Sequence, residues 1–351
     1  MTKRKKFIDI ARAFAIIFIV LGHTIVHSEH CMPIFKMLYS FHVVLFFILS
    51  GYTFKINNKS FKDFLTDKFK RIMVPYFVWA ILFIMPYLLF GNKVGQAVGT
   101  NSSFYLKDII INTLYGNGNL ESLKQNSALW FLPALFCTEI IFYFIINKEE
   151  KNNNSRRSII TLVTIILINY LTSKYLNIIF PWGINTVLNI GCFFYIGYCL
   201  NKYNIILNKK SNILRIIFYT IIGLISCFSN KYNVLCIEYS YGSFLLMLIS
   251  GYCLSMTIIY LSLLINNNKI LEYIGKNTLG ILVFHKPLII IFQTKLGSIS
   301  KMLINSNLFV EMFIGIIVTA LSIALSVFIT EIIRKKFPIL IGEKAIKLSS
   351  I

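Results

Sequence analysis

Long apolar runs, each of about 18 to 22 residues, alternate with short polar stretches along this chain. A helix of that length crosses a bilayer, because 1.5 Å of rise per residue covers about 30 Å of hydrocarbon. Membrane-crossing strands would be shorter and would alternate polar with apolar residues, whereas these runs are apolar all round. The pattern predicts helices near residues 7–27, 34–54, 72–91, 128–147, 158–172, 184–200, 212–228, 240–264, 277–294 and 310–333, ten in all, with the fifth the shortest. The expected fold is an all-α polytopic membrane protein, a single integral-membrane domain over residues 1–351 with no soluble domain.

Charge adds a sidedness. Of the 35 Lys and Arg residues, 25 fall in the two terminal segments and every second loop, and 8 in the remaining loops. Cytoplasmic loops collect Lys and Arg, so this split fits ten spans with both termini cytoplasmic. It also accounts for the net charge of +21 without a nucleic-acid partner. The longest loop, about 92–127, then lies outside and is rich in Gly, Asn and Ser. The inner segment "KINNKSFKDFLTDKFKR" sets Phe61, Phe64, Leu65 and Phe69 on one side among lysines, as a helix lying on the membrane surface would. Lys3 to Lys6 suit a signal-peptide start, but no small-residue cleavage site follows, so the first helix is expected to be retained.

Composition agrees: 56% of residues are hydrophobic and 14% charged, too few charges to cover a soluble domain of this length. Seven cysteines form no CxxC and lie mostly in spans, as buried thiols do.

The ionisable residues inside the spans need a reason, because such groups usually face a bundle interior or a wet cavity. The first run, "FIDIARAFAIIFIVLGHTIVHSEH", carries Asp9, Arg12 and His23. At about 100° per residue, Arg12 and His23 lie within about 20° of each other, about 16 Å apart along the helix, with Asp9 on the same stripe. Taken singly, Arg12 suits a snorkelling anchor paired with Asp9, and His23 a helix–helix hydrogen bond. Their shared face favours a joint role. His42 sits in the second span, before the small residues Ser50 and Gly51 that permit close packing. His285 lies mid-span before Lys286 and Pro287, where proline frees a backbone carbonyl and is expected to kink the helix. Glu139 is an acidic group well inside a later span. His23, His27 and His30 have a spacing that could hold zinc, but the last two fall at a wet helix end, and no metal is expected. "IGKNT" lacks the leading glycine of a phosphate-binding loop.

Four segments in order resemble the acyltransferase 3 family of bacterial membrane enzymes, in particular its fucose O-acetylase-like branch. They are the pair Arg12 and His23 with ten residues between, "YSFHVVLFFILSGY" at 39–52, "LWFLPALF" at 129–136 and "LEYIGKNTLGILVFHKPL" at 271–288. Val43 and Val44 replace the family's commoner Met-Pro after the histidine. Many relatives carry a soluble domain after the helices; here about 18 residues follow the last span, so the domain is expected to act alone or with partners.

The resemblance implies a multi-pass enzyme of a bacterial cell membrane that O-acylates a sugar hydroxyl of a surface polysaccharide or a lipid-linked precursor. Acyl-CoA, usually acetyl-CoA, would be the co-substrate from the cytoplasmic side, with no permanently bound cofactor. Arg12, with Asp9, would hold the donor's phosphates, since guanidinium suits those anions. His23 would take the hydroxyl proton, with His42 and His285 as supporting catalytic candidates. Trp130 and Phe131 suit either stacking on a sugar or an interfacial aromatic belt. Glu139 would pair with a histidine or Arg12. Partners would be the acyl-CoA, the acceptor and the lipid bilayer, with room for a homo-oligomer. A transporter or flippase is the rival expectation, but no internal hydropathy repeat supports it. A non-catalytic sensor is a third.

Overall fold

The computed structural model describes residues 5–25, 30–85, 106–116, 123, 125–150, 155–206, 213–236, 238–295 and 308–343. Its helices are α1 (Lys6–Thr24), α2 (Met32–Thr53), α3 (Phe61–Lys68), α4 (Val74–Leu82), α5 (Leu106–Tyr115), α6 (Phe131–Glu150), α7 (Ser155–Tyr175), α8 (Ile184–Lys202), α9 (Ile213–Ser229), α10 (Phe244–Ile265), α11 (Lys269–Lys276), α12 (Thr278–Lys295) and α13 (Leu308–Lys336). No strand is present among the described residues beyond one isolated bridge, Leu235 to Ser240. The protein is an all-α polytopic membrane protein: among the described residues seven helices are long and apolar enough to cross a bilayer, and a bent pair makes eight.

The expected spans fall on these helices with informative differences. The fifth is not short: α7 has 21 residues, because the helix continues beyond its apolar middle through Arg156, Arg157 and Lys174. The shorter apolar helix α9 has 17 residues. The expected span 72–91 starts as a π-helical turn, Phe69–Met73, and α4; beyond Met85 it lies outside the described residues. Most of the loop 92–127 also lies outside them. The surface segment becomes α3, capped by Ser60, whose Oγ accepts the Asp63 N–H at 3.2 Å. Its aromatic stripe divides: Phe64 is buried, while Phe61 and Phe69 stay exposed.

A sharp bend that the pattern did not place precedes Pro287. The sharp bend, 80°, lies at Asn277 between α11 and α12, and Pro287 sits inside α12. Pro287 has no N–H to give the Val283 carbonyl one turn back. The Asn126 side chain supplies it instead, Nδ2 donating to Val283 O at 2.8 Å. The freed acceptor is satisfied without opening the helix.

The chain forms two compact units. The first comprises Met1–Asn57, Thr138–Ile179 and Ile184–Thr278. There α2 packs against α1, α8 and α10; α11 packs on α1. Glycine allows two backbone-to-backbone approaches. A Cβ on Gly51 would lie 1.8 Å from the Phe194 carbonyl oxygen, and one on Gly197 would lie 2.0 Å from that of Ile48, so α2 and α8 touch along their main chains. A Cβ on Gly275 would lie 1.8 Å from the Asp9 carbonyl oxygen, which sets α11 on α1. Polar groups fix α7 on α8. Asn169 Oδ1 accepts the Cys192 N–H at 2.8 Å while its Nδ2 donates to Leu188 O at 2.6 Å, so one amide is inserted into the ladder of α8. Near the C-terminal end of α6, buried Glu149 accepts from Ser158 Oγ at 3.0 Å and from Tyr195 OH, and pairs with Lys202 at 3.5 Å.

The second unit comprises Asn58–Cys137, Phe180–Gly183 and Leu279–Ile351. Trp79 Nε1 donates to Leu340 O at 2.7 Å, and its ring meets Phe284 edge-on with centroids 4.6 Å apart. Tyr76 OH donates to Thr113 O at 2.6 Å.

Two stability predictions follow from these contacts. Gly51→Val is expected to cost at least about 1–3 kcal/mol, as overpacking does. It is read as a lower unfolding midpoint in detergent, and a wild-type midpoint would contradict the contact. Asn126→Leu strands the Val283 carbonyl and should cost about 1–3 kcal/mol. Adding Pro287→Ala returns the missing N–H and should recover most of the loss. No recovery in the double variant would mean that Asn126 acts otherwise.

Candidate active site

The site expected from the sequence divides between the two units. Asp9, Arg12, His23, His42 and Glu139 belong to the first, and Trp130, Phe131 and His285 to the second.

At the N-terminal end of α1, Asp9 is buried and Arg12 is half-buried, with Arg12 Nη1 3.8 Å from Asp9 Oδ1. The guanidinium also donates from Nη2 to Thr53 Oγ1 at 2.9 Å. Thr53 in turn donates to Leu49 O at 2.9 Å, so its oxygen is oriented to accept. Arg12 thus bridges α1 to the end of α2 rather than reaching out alone. Two further cations stand at the start of the same helix. Lys5 Nζ donates to Tyr52 OH at 3.0 Å, and Lys6 Nζ donates to Asn267 Oδ1 at 2.7 Å and lies 3.8 Å from Glu272. The sequence pattern assigned Lys5 and Lys6 to topology; in the fold Lys5 reaches Tyr52, next to the Thr53 that Arg12 holds, while Lys6 turns to Asn267 and Glu272. Arg12 and Lys5, both bonded at the end of α2, suit an anion with several charges.

On the same face of α1, Ile16 and Ile19 lie between Arg12 and His23, apolar and buried. His23 is half-buried and faces Tyr39 of α2, edge to face, with centroids 6.4 Å apart. Tyr39 meets His42 edge to face at 4.7 Å and stacks on Phe35 at 3.9 Å. Gly22 makes room for it, since a Cβ there would lie 3.0 Å from Tyr39 Cε2. Tyr39 therefore joins the two histidines, and residue types alone gave no signal for it among many aromatics.

The buried histidines have a defined tautomer. His42 Nδ1 lies 2.6 Å from Leu38 O and His285 Nδ1 lies 2.8 Å from Ile281 O, each one turn back on its own helix. A carbonyl oxygen can only accept, so Nδ1 carries the proton and the neutral ring keeps its lone pair on Nε2.

Trp130 and Phe131 are both buried, at 8% and 6% exposure, with rings edge to face at 6.1 Å. They belong to the short 3-10 turn Ser127–Trp130 and the start of α6. Glu139 is buried on α6. His30 is exposed and His27 lies outside the described residues. Among the described residues no three His, Cys, Asp or Glu side chains gather as a metal site would need.

Tyr39 holds both imidazoles through its ring, so Tyr39→Phe should keep activity within about threefold. Tyr39→Leu should lose about 10²-fold in kcat, with little change in the KM for acyl donor, because misplacement of a catalytic group acts on the chemical step. Equal activity of the Phe and Leu variants would remove Tyr39 from the site.

The comparisons with known proteins bear on the fold and on the chemistry together. No curated protein and no solved structure gives a match. A family model described as an acyltransferase domain, acyltransferase 3, matches residues 5–331, from the cationic start of α1 almost to the end of α13. A match over that length covers Arg12, the Tyr39-linked histidines and His285 alike, and the chain belongs to the acyltransferase 3 family as a membrane acyltransferase.

Proposed function

We propose that the protein is an O-acetyltransferase of a bacterial cell membrane, of the fucose O-acetylase-like branch. It moves an acyl group, most simply acetyl, from cytoplasmic acyl-CoA to a sugar hydroxyl of a surface polysaccharide or its lipid-linked precursor. The observation that carries this is one face of α1. It offers a bridged arginine at one end and, about 16 Å further along, a histidine linked through Tyr39 to a second histidine.

Arg12, with Lys5 bonded to the neighbouring residue of α2, binds the phosphates of the donor. Asp9 and Thr53 hold the guanidinium in place. The pantetheine arm extends along α1 past Ile16 and Ile19 and brings the thioester toward His23. The acceptor hydroxyl gives its proton to His23 as its oxygen attacks the thioester carbonyl carbon. The tetrahedral adduct collapses, the carbon–sulfur bond breaks, and the proton passes from the imidazolium to the departing thiolate. The products are the sugar ester and free CoA. A positioned base of this kind contributes about 10²–10⁴-fold. His42, with its lone pair on Nε2, orients the reacting groups, and His285 is a supporting candidate in the second unit. The buried Trp130 and Phe131 are candidates for contact with the sugar, and Glu139 for orienting a cation or imidazole.

The test is the O-acetyl content of purified surface glycan, by NMR, in a strain lacking the gene and complemented with each variant at equal membrane level. Wild type should restore an O-acetyl signal and His23→Ala should reduce it by at least about 10²-fold. In membranes, Arg12→Ala should raise the KM for acyl-CoA about tenfold or more, the value of a charge-assisted bond. A His23→Ala variant that restores the signal fully would move the base to another residue.

A further inference from the structure

Lys286 has no part in the transfer described above, yet its position is the harder one to explain. It sits midway along α12, between "ILVF" and "LIIIF". A lysine there is costly in hydrocarbon and is retained where it meets an anion or water. Its Nζ donates to Ser127 Oγ. A serine hydroxyl is neutral and takes one of the three ammonium protons. Among the described residues no carboxylate lies within ion-pair distance of Lys286. The side chain is also half-buried rather than sealed.

The surroundings are polar and fixed. Gln125, Asn126 and Ser127 precede α6 as three consecutive buried polar residues. Asn126 is tied to Val283 O through the acceptor that Pro287 frees, one residue beyond Lys286. That bond anchors the Ser127 turn to α12 beside the ammonium. Gln125 donates from Nε2 to Thr113 Oγ1 at 3.0 Å, while its buried Oε1 has no hydrogen-bond partner among the described residues. Trp130 ends the same turn.

We propose that Lys286, held by Ser127, is a recognition point for an anionic group, a carboxylate or a phosphate, carried by the acceptor sugar. The inference rests on the acyltransfer reading, which assigns the phosphates of the donor to Arg12 and leaves the acceptor as the source of this anion. A single ammonium is a point charge and meets one oxygen of a carboxylate or a phosphate without the paired geometry of a guanidinium. The acceptor is then an acidic glycan, built on uronic acids or sugar phosphates, rather than a neutral one.

The test uses purified full-length protein in lipid nanodiscs and measures binding of glucuronate, glucose 1-phosphate and glucose. Wild type should bind at least one of the anions roughly tenfold more tightly than glucose, as a charge-assisted bond gives, and more weakly at high salt. Preference between the two anions identifies the source as a uronic acid or a phosphate. Lys286→Met should abolish the preference, and Lys286→Arg should keep it within about threefold. Acyl-CoA binding should be unchanged in Lys286→Met and weakened in Arg12→Ala, so a failure of this proposal is distinct from a failure of the donor assignment. Wild type without preference for either anion, or a Lys286→Met variant that keeps the preference, overturns it.

Discussion

Hydrocarbon does not solvate an ion, so each ionisable side chain inside a span needs a partner brought to it by packing. On α1 that constraint orders much of the first unit. Arg12 reaches Thr53 only because α2 runs beside α1, and α2 is itself seated on α8 by the main-chain approach at Gly51 and Gly197. Asp9 stands beside Arg12 on a stretch of α1 against which α11 is set by Gly275. His23 faces an aromatic ring that fits over Gly22. Small residues therefore do two things at once. They let helices approach without a hydrophobic driving force between them, and they bring polar partners within reach of the charges.

The second unit meets a related demand in the backbone. Pro287 leaves an acceptor in α12 that membrane cannot satisfy, and Asn126, distant in sequence, donates to it. The same stretch supplies Ser127 to Lys286. In both units the buried histidines of α2 and α12 spend Nδ1 on a carbonyl one turn back and so leave the lone pair on Nε2. This is local chemistry that any helix can provide, and it fixes a tautomer without another residue.

Much of the architecture was legible because lipid makes the signal coarse: a span must be long and apolar, and its length can be counted. The Arg12–His23 face was legible because helical period converts spacing into direction. Other features were hidden for physical reasons. Asn277 bends α11 away from α12 by 80° where the pattern pointed to Pro287, because an asparagine at a helix end gives no hydropathy signal and a proline inside a helix can be rescued from elsewhere. Tyr39 was one aromatic among 19 tyrosines and 31 phenylalanines, and only the pairing of α1 with α2 sets it between two histidines. Lys5 and Lys6 read as topology signals, and their approach to Tyr52 and Asn267 depends on the close packing of the unit. Family membership extended the reading from geometry to reaction type; the acceptor is approached here only through the charge of Lys286.

The central claim is that α1 holds an acyl donor at Arg12 and delivers its acyl group at His23. The most direct measurement follows radiolabelled acetyl-CoA in membranes that contain the protein and its native glycan, recording label in glycan and release of free CoA together. The account predicts that both appear in equal amounts with wild type, and that neither exceeds background with the Arg12→Ala, His23→Ala double variant at equal abundance. Label transfer undiminished in the double variant, or no transfer and no CoA release with wild type, would contradict it.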